Sequence, residues 1–181
     1  VDEQRYDGRT AGELQALLGV PRLELHDVVT STLDVAHVLG ADGTPAGTVV
    51  IAEHQTAGRG RAGRRWVSRP GSGVWLTLVE RPDDAAAVEL LSIRLGMAAA
   101  AVLDRWAAGL VRLKWPNDLY IGEGKLAGIL VETRWREQRI DWAALGIGIN
   151  VQQPPDVDRA VASLLPGSDR GAVLEALVPA L

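Results

Sequence analysis

Residues Thr48 to Ala52 read Thr-Val-Val-Ile-Ala, an unbroken apolar and β-branched run that has the pattern of a buried strand. The run passes directly into Glu53 to Arg69, where glycine and arginine alternate. A buried strand needs layers packed over it, and the rest of the chain supplies them. Leu23 to Val29, Val74 to Val79, Leu110 to Trp115, Lys125 to Glu132 and Ile140 to Asn150 are further strand-like runs. A Pro-Asn-Asp turn and an Ile-Gly-Glu-Gly turn join Leu110–Trp115 to Lys125–Glu132.

Helical spacing appears at four places. Thr10 and Glu13 form a capping box ahead of Leu14, Leu17 and Leu18, and Gly19 ends that helix. A second helix runs from about Thr32 to Gly40, with Ser31 or Thr32 as its cap. From Asp83 the residues Val88, Leu91, Leu95, Ala98, Val102 and Trp106 recur at three- and four-residue steps, closed by Gly109. A last helix, Ala172 to Leu181, is cut off while still apolar. Strands and helices mix without strict βαβ alternation, which predicts an α+β fold with a mixed β-sheet flanked by helices.

With 181 residues, 47% of them apolar, the chain can bury the core of one globular domain. No run approaches the roughly 20 apolar residues of a membrane span, and no charged-then-apolar leader opens the sequence. There is no Cys, hence no disulfide and no thiolate metal site, and a cytoplasmic setting fits best. The net charge of −4 argues against a general nucleic-acid coat.

The charge is unevenly spread. Residues 53–69 hold five Arg and one Glu, about +4, so the remaining chain carries about −8. That is a local anion site on an acidic protein. Gly58, Gly60 and Gly63 match the dinucleotide-binding G-x-G-x-x-G pattern, but Arg64 to Gly71 has no helical apolar stripe to open a helix onto a pyrophosphate. What remains is a mobile loop in which Arg59, Arg61 and Arg64 can each present a planar donor fork to phosphate oxygens. Trp66 either offers a face for a purine or is buried as core. Lys125 follows a glycine but precedes Leu126, so it is not in a Walker A loop. His26, His37 and His54 lack metal-ligand spacing and read as surface or satisfied core residues.

Seventeen of the nineteen cationic residues are Arg, and the two lysines, Lys114 and Lys125, both sit at the edge of apolar strands. A half-buried ammonium needs an anion. Asp118 is a candidate for Lys125, and a substrate carboxylate or phosphate is the alternative.

Several motifs, in order, resemble the series of the biotin protein ligases. They are Thr30-Ser31-Thr32, Gln55 to Arg61 with Gly63-Arg64 and Trp66, Lys114 to Asp118, Lys125 to Leu130, and Gly146 to Asn150. The resemblance spans about residues 25–165. It implies the biotin and lipoate ligase catalytic fold, similar to class II aminoacyl-tRNA synthetases, over 1–181, without the small β-barrel domain that commonly follows. It also implies two half-reactions. Biotin and MgATP give biotinyl-5′-adenylate and pyrophosphate, and a lysine of a biotin carboxyl carrier protein domain then takes the biotin.

By position, the resemblance assigns Ser31, Thr32, Gln55, Gly58, Arg59, Gly128 and Ile129 to biotin. It assigns Arg59, Arg61, Arg64, Trp66, Lys114, Asn117 and Asn150 to ATP or the adenylate. Lys125 would bridge the biotin carboxylate and the α-phosphate, Arg61 and Arg64 would order the loop over the adenylate and the ATP phosphates, and Asp118 would face the acceptor lysine, with Lys125, Arg61 and Asp118 as the catalytic set. Magnesium would arrive with the nucleotide. Leu33 departs from the Asn that the family usually carries after Ser-Thr. About twenty residues precede the first matching strand, too few for a winged-helix domain, so no DNA binding is expected, nor membrane binding; a homodimer is compatible. Competing readings are a lipoate-type acyl ligase of the same fold and a non-catalytic biotin or nucleotide binder.

Overall fold

The computed structural model describes residues 4–84 and 88–181. A two-residue hairpin, β1 (Arg5–Tyr6) and β2 (Arg9–Thr10), leads into α1 (Ala11–Leu18). Thr10 and Glu13 close the capping box in both directions, and Gly19 ends the helix in the left-handed conformation. β3 (Leu23–Val29), α2 (Thr32–Ala41) and β4 (Thr48–Gln55) follow as one parallel crossover, with Ser31 as the cap of α2.

After the glycine and arginine loop come β5 (Gly73–Glu80), α3 (Leu91–Leu103), β6 (Val111–Lys114), β7 (Asp118–Ile121), β8 (Gly124–Arg136) and β9 (Arg139–Asn150). The helical pattern expected from Asp83 becomes a regular helix at Leu91, and residues 85–87 lie outside the described residues. The last helix, α4 (Arg170–Leu177), starts two residues earlier than its apolar pattern because Asp169 accepts from the Ala172 amide. The main chain then tightens into a 3-10 turn, Val178–Ala180.

Seven strands form one sheet in the order β3-β4-β5-β9-β8-β7-β6. Only the β3–β4 pair is parallel. This is the mixed α+β sheet expected. The strand of this sheet missing from the sequence reading is β7, which begins on the last residue of the first turn, ends on the first residue of the second, and pairs with both β6 and β8.

Period-two alternation sorts the central strands between two faces. Val49 and Ile51, Val74, Leu76 and Leu78, and Leu145, Ile147 and Ile149 point to the large core under α1, α3 and α4. Each buried side chain of this kind contributes roughly 1.5–3 kcal/mol. On the opposite face α2 covers one end only, through Leu33, Ala36 and Leu39 against Val50, Val79 and Ala144. The uncovered remainder of that face is where the loop folds back.

Candidate active site

The uncovered face is a trough because Gly128, Gly146 and Gly148 present no side chains on it. Gly128 on β8, Gly148 on β9 and Trp75 on β5 lie in one row across the sheet, and Leu130, Gly146 and Thr77 form the next. A methyl at Gly148 would lie 2.5 Å from the Trp66 ring, and one at Gly128 3.0 Å from it. Two missing side chains therefore seat one indole. Trp66 is 9% exposed, meets Trp75 edge-on at a 6.1 Å centroid distance, and has Lys125 Nζ 5.4 Å above its ring. Of its two expected positions, the structure gives Trp66 the buried one: in this state it faces Lys125 rather than leaving an open face for a purine.

The loop is a small hairpin. Arg59 and Arg65 pair as an isolated bridge, the Gly60 amide donates to Arg64, and the Trp66 amide donates to Gly58. Its base is tied by Ser68, whose hydroxyl accepts from the Gln55 amide at 2.8 Å and donates to the Gln55 carbonyl. Its other anchors are the Thr56 and Ala57 amides, which donate to Val29 and Thr30.

One end of the cleft is polar and buried. Gln55 Oε1 accepts from the Thr32 amide at 2.9 Å, from Thr32 Oγ1 at 3.2 Å and from Ser31 Oγ at 3.3 Å. Thr77 Oγ1 donates onward to Thr32 Oγ1 at 2.8 Å. A backbone amide only donates, so these bonds fix the orientation of the Gln55 carboxamide. Its Nε2 group is left with no side-chain partner among the described residues and lies beside Gly58, while Gln55 as a whole is one of the residues lining the cleft.

The other end is cationic. Lys125, 9% exposed, donates from Nζ to Asp118 Oδ1 at 2.6 Å. Burial pushes the Lys125 ammonium below the usual lysine range, Asp118 opposes the shift, and Arg159 and Arg64 add to it. Arg64 makes no side-chain hydrogen bond or ion pair among the described residues, and Arg61 reaches only Asn117 Oδ1, at 3.5 Å. Asn117 also clamps the turn before β7 to β8, by bonds of 2.7 and 2.9 Å with the Ile129 backbone.

Ser31, Thr32, Gln55, Arg59, Arg61, Arg64, Trp66, Asn117, Asp118, Lys125, Gly128 and Ile129 thus converge on one cleft. Asn150 lines an adjoining recess with Trp66 and Arg159. Its Nδ2 donates to the Lys125 and Ala162 carbonyls, which leaves Oδ1 buried without a partner among the described residues. Gly58 lies on the outer side of the loop, where it lets the Trp66 carbonyl approach.

Two expectations are corrected. Lys114 is exposed, not half-buried, because β6 is an edge strand; its ammonium sits 4.6 Å over the Tyr120 ring and outside the cleft. Arg59 does not hold its fork open for phosphate, because Asp34 and Glu132 occupy it. Of the histidines, His37 and His54 have partners, whereas His26 Nε2 is buried without one among the described residues. Sequence reasoning also missed Arg159. The Lys125 and Ala162 amides donate to the carbonyls of Ala160 and Lys125, and this strapping brings Arg159 to the cleft mouth. Its only signal was a basic residue in a Pro-rich stretch.

A trough lined by arginines and one buried lysine, closed at its far end by a fixed carboxamide and two hydroxyls, defines a binding domain for a ligand with an anionic end and a polar neutral end. The family model described as the Biotin/lipoate A/B protein ligase family matches residues 25–150, and the chain belongs to that family. It is 42% identical over 132 residues to the bifunctional ligase/repressor BirA of Bacillus subtilis, covering 72% of this chain and 41% of that protein. It is 42% identical over 125 residues to the biotin–[acetyl-CoA-carboxylase] ligase of Mycobacterium tuberculosis, covering 66% of this chain and 45% of that one. The chain therefore spans less than half the length of these two relatives. The structure of the Aquifex aeolicus biotin protein ligase in complex with biotin and ATP superposes with a TM-score of 0.73 at 29% identity, covering 88% of this chain and 68% of that chain.

Proposed function

We propose that this chain carries out ATP-dependent activation of biotin and transfers the biotin to a lysine of a biotin carboxyl carrier domain. A biotin carboxylate oxygen attacks the α-phosphorus of ATP, pyrophosphate leaves, and the product is biotinyl-5′-AMP. The acceptor amine then attacks the acyl carbon, and AMP leaves. The observation that carries this reading is the Lys125 ammonium, nearly buried and held by one carboxylate, in the same cleft as the free Gln55 amide donors.

The chemistry of the two ends fits. A cyclic urea presents a carbonyl that accepts from Gln55 Nε2, beside the Ser31 and Thr32 hydroxyls. Two anions must meet for adenylation, and a fixed ammonium between them lowers their repulsion and stabilises the charge of the transition state. Arg61, Arg64 and Arg159 supply further positive charge for the phosphates. Asn150 Oδ1, buried and unpartnered among the described residues, would accept from the exocyclic amine of adenine. Magnesium enters with the triphosphate as part of the substrate; among the described residues no cluster of three or more His, Asp or Glu could hold a metal ion.

In this reading Asp118 has two successive tasks, first pairing with Lys125 and then facing the acceptor amine. Among the described residues no helix is long and apolar enough to cross a membrane, and a supply of ATP and carrier domain sets the reaction in the cytoplasm. The test is incubation with biotin, MgATP and a purified carrier domain. The expected result is a carrier mass increase of one biotin with stoichiometric pyrophosphate. Biotin binding measured by calorimetry, with neither product, would replace the enzyme by a binder.

A further inference from the structure

The arginines of the loop divide into two kinds. Arg61 and Arg64 have no carboxylate partner among the described residues, whereas Arg59 is held by two carboxylates from two different elements. Its Nε and Nη2 donate to Glu132 Oε1 and Oε2 on β8, both at 3.2 Å, and its Nη1 donates to Asp34 Oδ1 on α2. The remaining Asp34 oxygen accepts from Thr30 Oγ1 at 2.7 Å.

Glu132 is itself held in place. His37 Nε2 lies 2.8 Å from Glu132 Oε2, and Trp142 Nε1 lies 3.0 Å from His37 Nδ1. An indole N–H only donates, so Nδ1 accepts and the proton of the neutral imidazole lies on Nε2, directed at Glu132. The chain of bonds runs from Trp142 on β9 through His37 on α2 and Glu132 on β8 to Arg59 on the loop.

We propose that Asp34 and Glu132 are positioning residues that latch the glycine and arginine loop over the cleft through Arg59, with His37 and Trp142 orienting Glu132. The latch sets the loop's closed position, so that Arg61 and Arg64 face the cleft without spending their own charge on protein carboxylates. This inference rests on the ligase reading for what closure accomplishes, namely keeping water from the adenylate. The latch itself is independent of that reading.

Glu132 and Arg59 meet as fork to fork, a geometry that a lysine cannot reproduce and that an uncharged carboxamide weakens. Three variants test it: Glu132→Gln, Arg59→Lys, and Glu132→Asp as the conservative rescue. Hydrogen exchange of the amides of residues 57–66 is followed in the ligand-free protein and with biotin and ATP, beside the ratio of pyrophosphate released to biotin transferred.

Glu132→Gln and Arg59→Lys are expected to speed loop exchange roughly tenfold, while core strands keep the parent rate. Both should also raise the pyrophosphate-to-transfer ratio, because an adenylate under an unlatched loop is lost to water. Glu132→Asp should recover part of both. Loop exchange at the parent rate in both Glu132→Gln and Arg59→Lys overturns the latch. Parent protein that releases no pyrophosphate overturns the ligase reading instead, and the exchange measurement still decides the latch.

Discussion

Lys125 Nζ and Asp118 Oδ1 stand 2.6 Å apart across the paired strands β7 and β8, in a cleft whose other charged residues are all arginines, of which Arg59 is bound by carboxylates. Burial works against the ammonium and Asp118 works for it, and burial wins. The lysine is therefore an acid that gives up its proton more readily than a free one.

The sign of the resulting pH dependence follows. If bridging carboxylate and α-phosphate requires the ammonium, the alkaline limb of kcat/KM for biotin lies below the free lysine value of about 10.4. Asp118→Asn removes the group that raises the Lys125 pKa and moves the limb further down. Lys125→Arg keeps its charge throughout and removes the limb, at whatever absolute rate it retains. Pyrophosphate release between about pH 7 and pH 10 reads all three, and a parent limb at or above the free lysine value would separate Lys125 from the rate.

Gln55→Glu isolates the other end of the cleft. It keeps an acceptor for the Thr32 amide and the two hydroxyls but replaces the Nε2 donors with an oxygen. Losing a buried donor to a neutral acceptor costs about 1–3 kcal/mol, so the biotin Kd should rise roughly 5- to 150-fold with the ATP KM little changed. Calorimetry checks it. Equal weakening for both substrates would mean that Gln55 shapes the loop rather than binding the ring.

Local chemistry was the legible part of this chain. The Thr10 and Glu13 box and β3, Leu23–Val29, follow from neighbouring residues alone, and each is found where it was read. So does the alternation Gly146-Ile147-Gly148-Ile149, whose isoleucines enter the core. What failed was long-range. Arg59 looked like a phosphate fork because its carboxylates are 25 and 73 residues away. The strand β7 looked like turn, since four residues between Pro-Asn and Gly-Glu-Gly become a strand only when β6 and β8 close on both sides. Trp66 was ambiguous for the same reason, as the glycines that bury it lie more than sixty residues on.

Gly148→Ala tests that burial. The new methyl would lie 2.5 Å from the Trp66 ring, on a central strand that cannot retreat. Overpacking of this kind costs about 1–3 kcal/mol, which for a chain of this size lowers Tm by several degrees, roughly 2–4 °C per kcal/mol. Trp66 emission should shift toward that of an exposed indole, and the KM values for both substrates should rise. Gly146→Ala is the control. Its methyl would sit 3.2 Å from Leu33 Cγ and Cδ2, a contact relieved by a shift of a few tenths of an ångström, so its effect should be the smaller.

Leu33 follows the Ser31-Thr32 pair at the position where the sequence resemblance leads one to expect Asn. It is 3% exposed and packs with Ala36, Leu39, Val50, Val79 and Ala144 above Gly146. The nearby hydroxyls are committed, those of Ser31 and Thr32 to Gln55 and that of Thr77 to Thr32. Leu33→Asn would therefore bury an amide among apolar side chains, at a cost of about 1–3 kcal/mol. Urea denaturation should show that loss, while the biotin Kd stays at the parent value or weakens, since Leu33 lines the cleft with apolar atoms only and the polar groups at that end come from Ser31, Thr32 and Gln55. Tighter biotin binding at unchanged stability would instead mean that position 33, which lines the cleft as well as packing under α2, acts through the ligand.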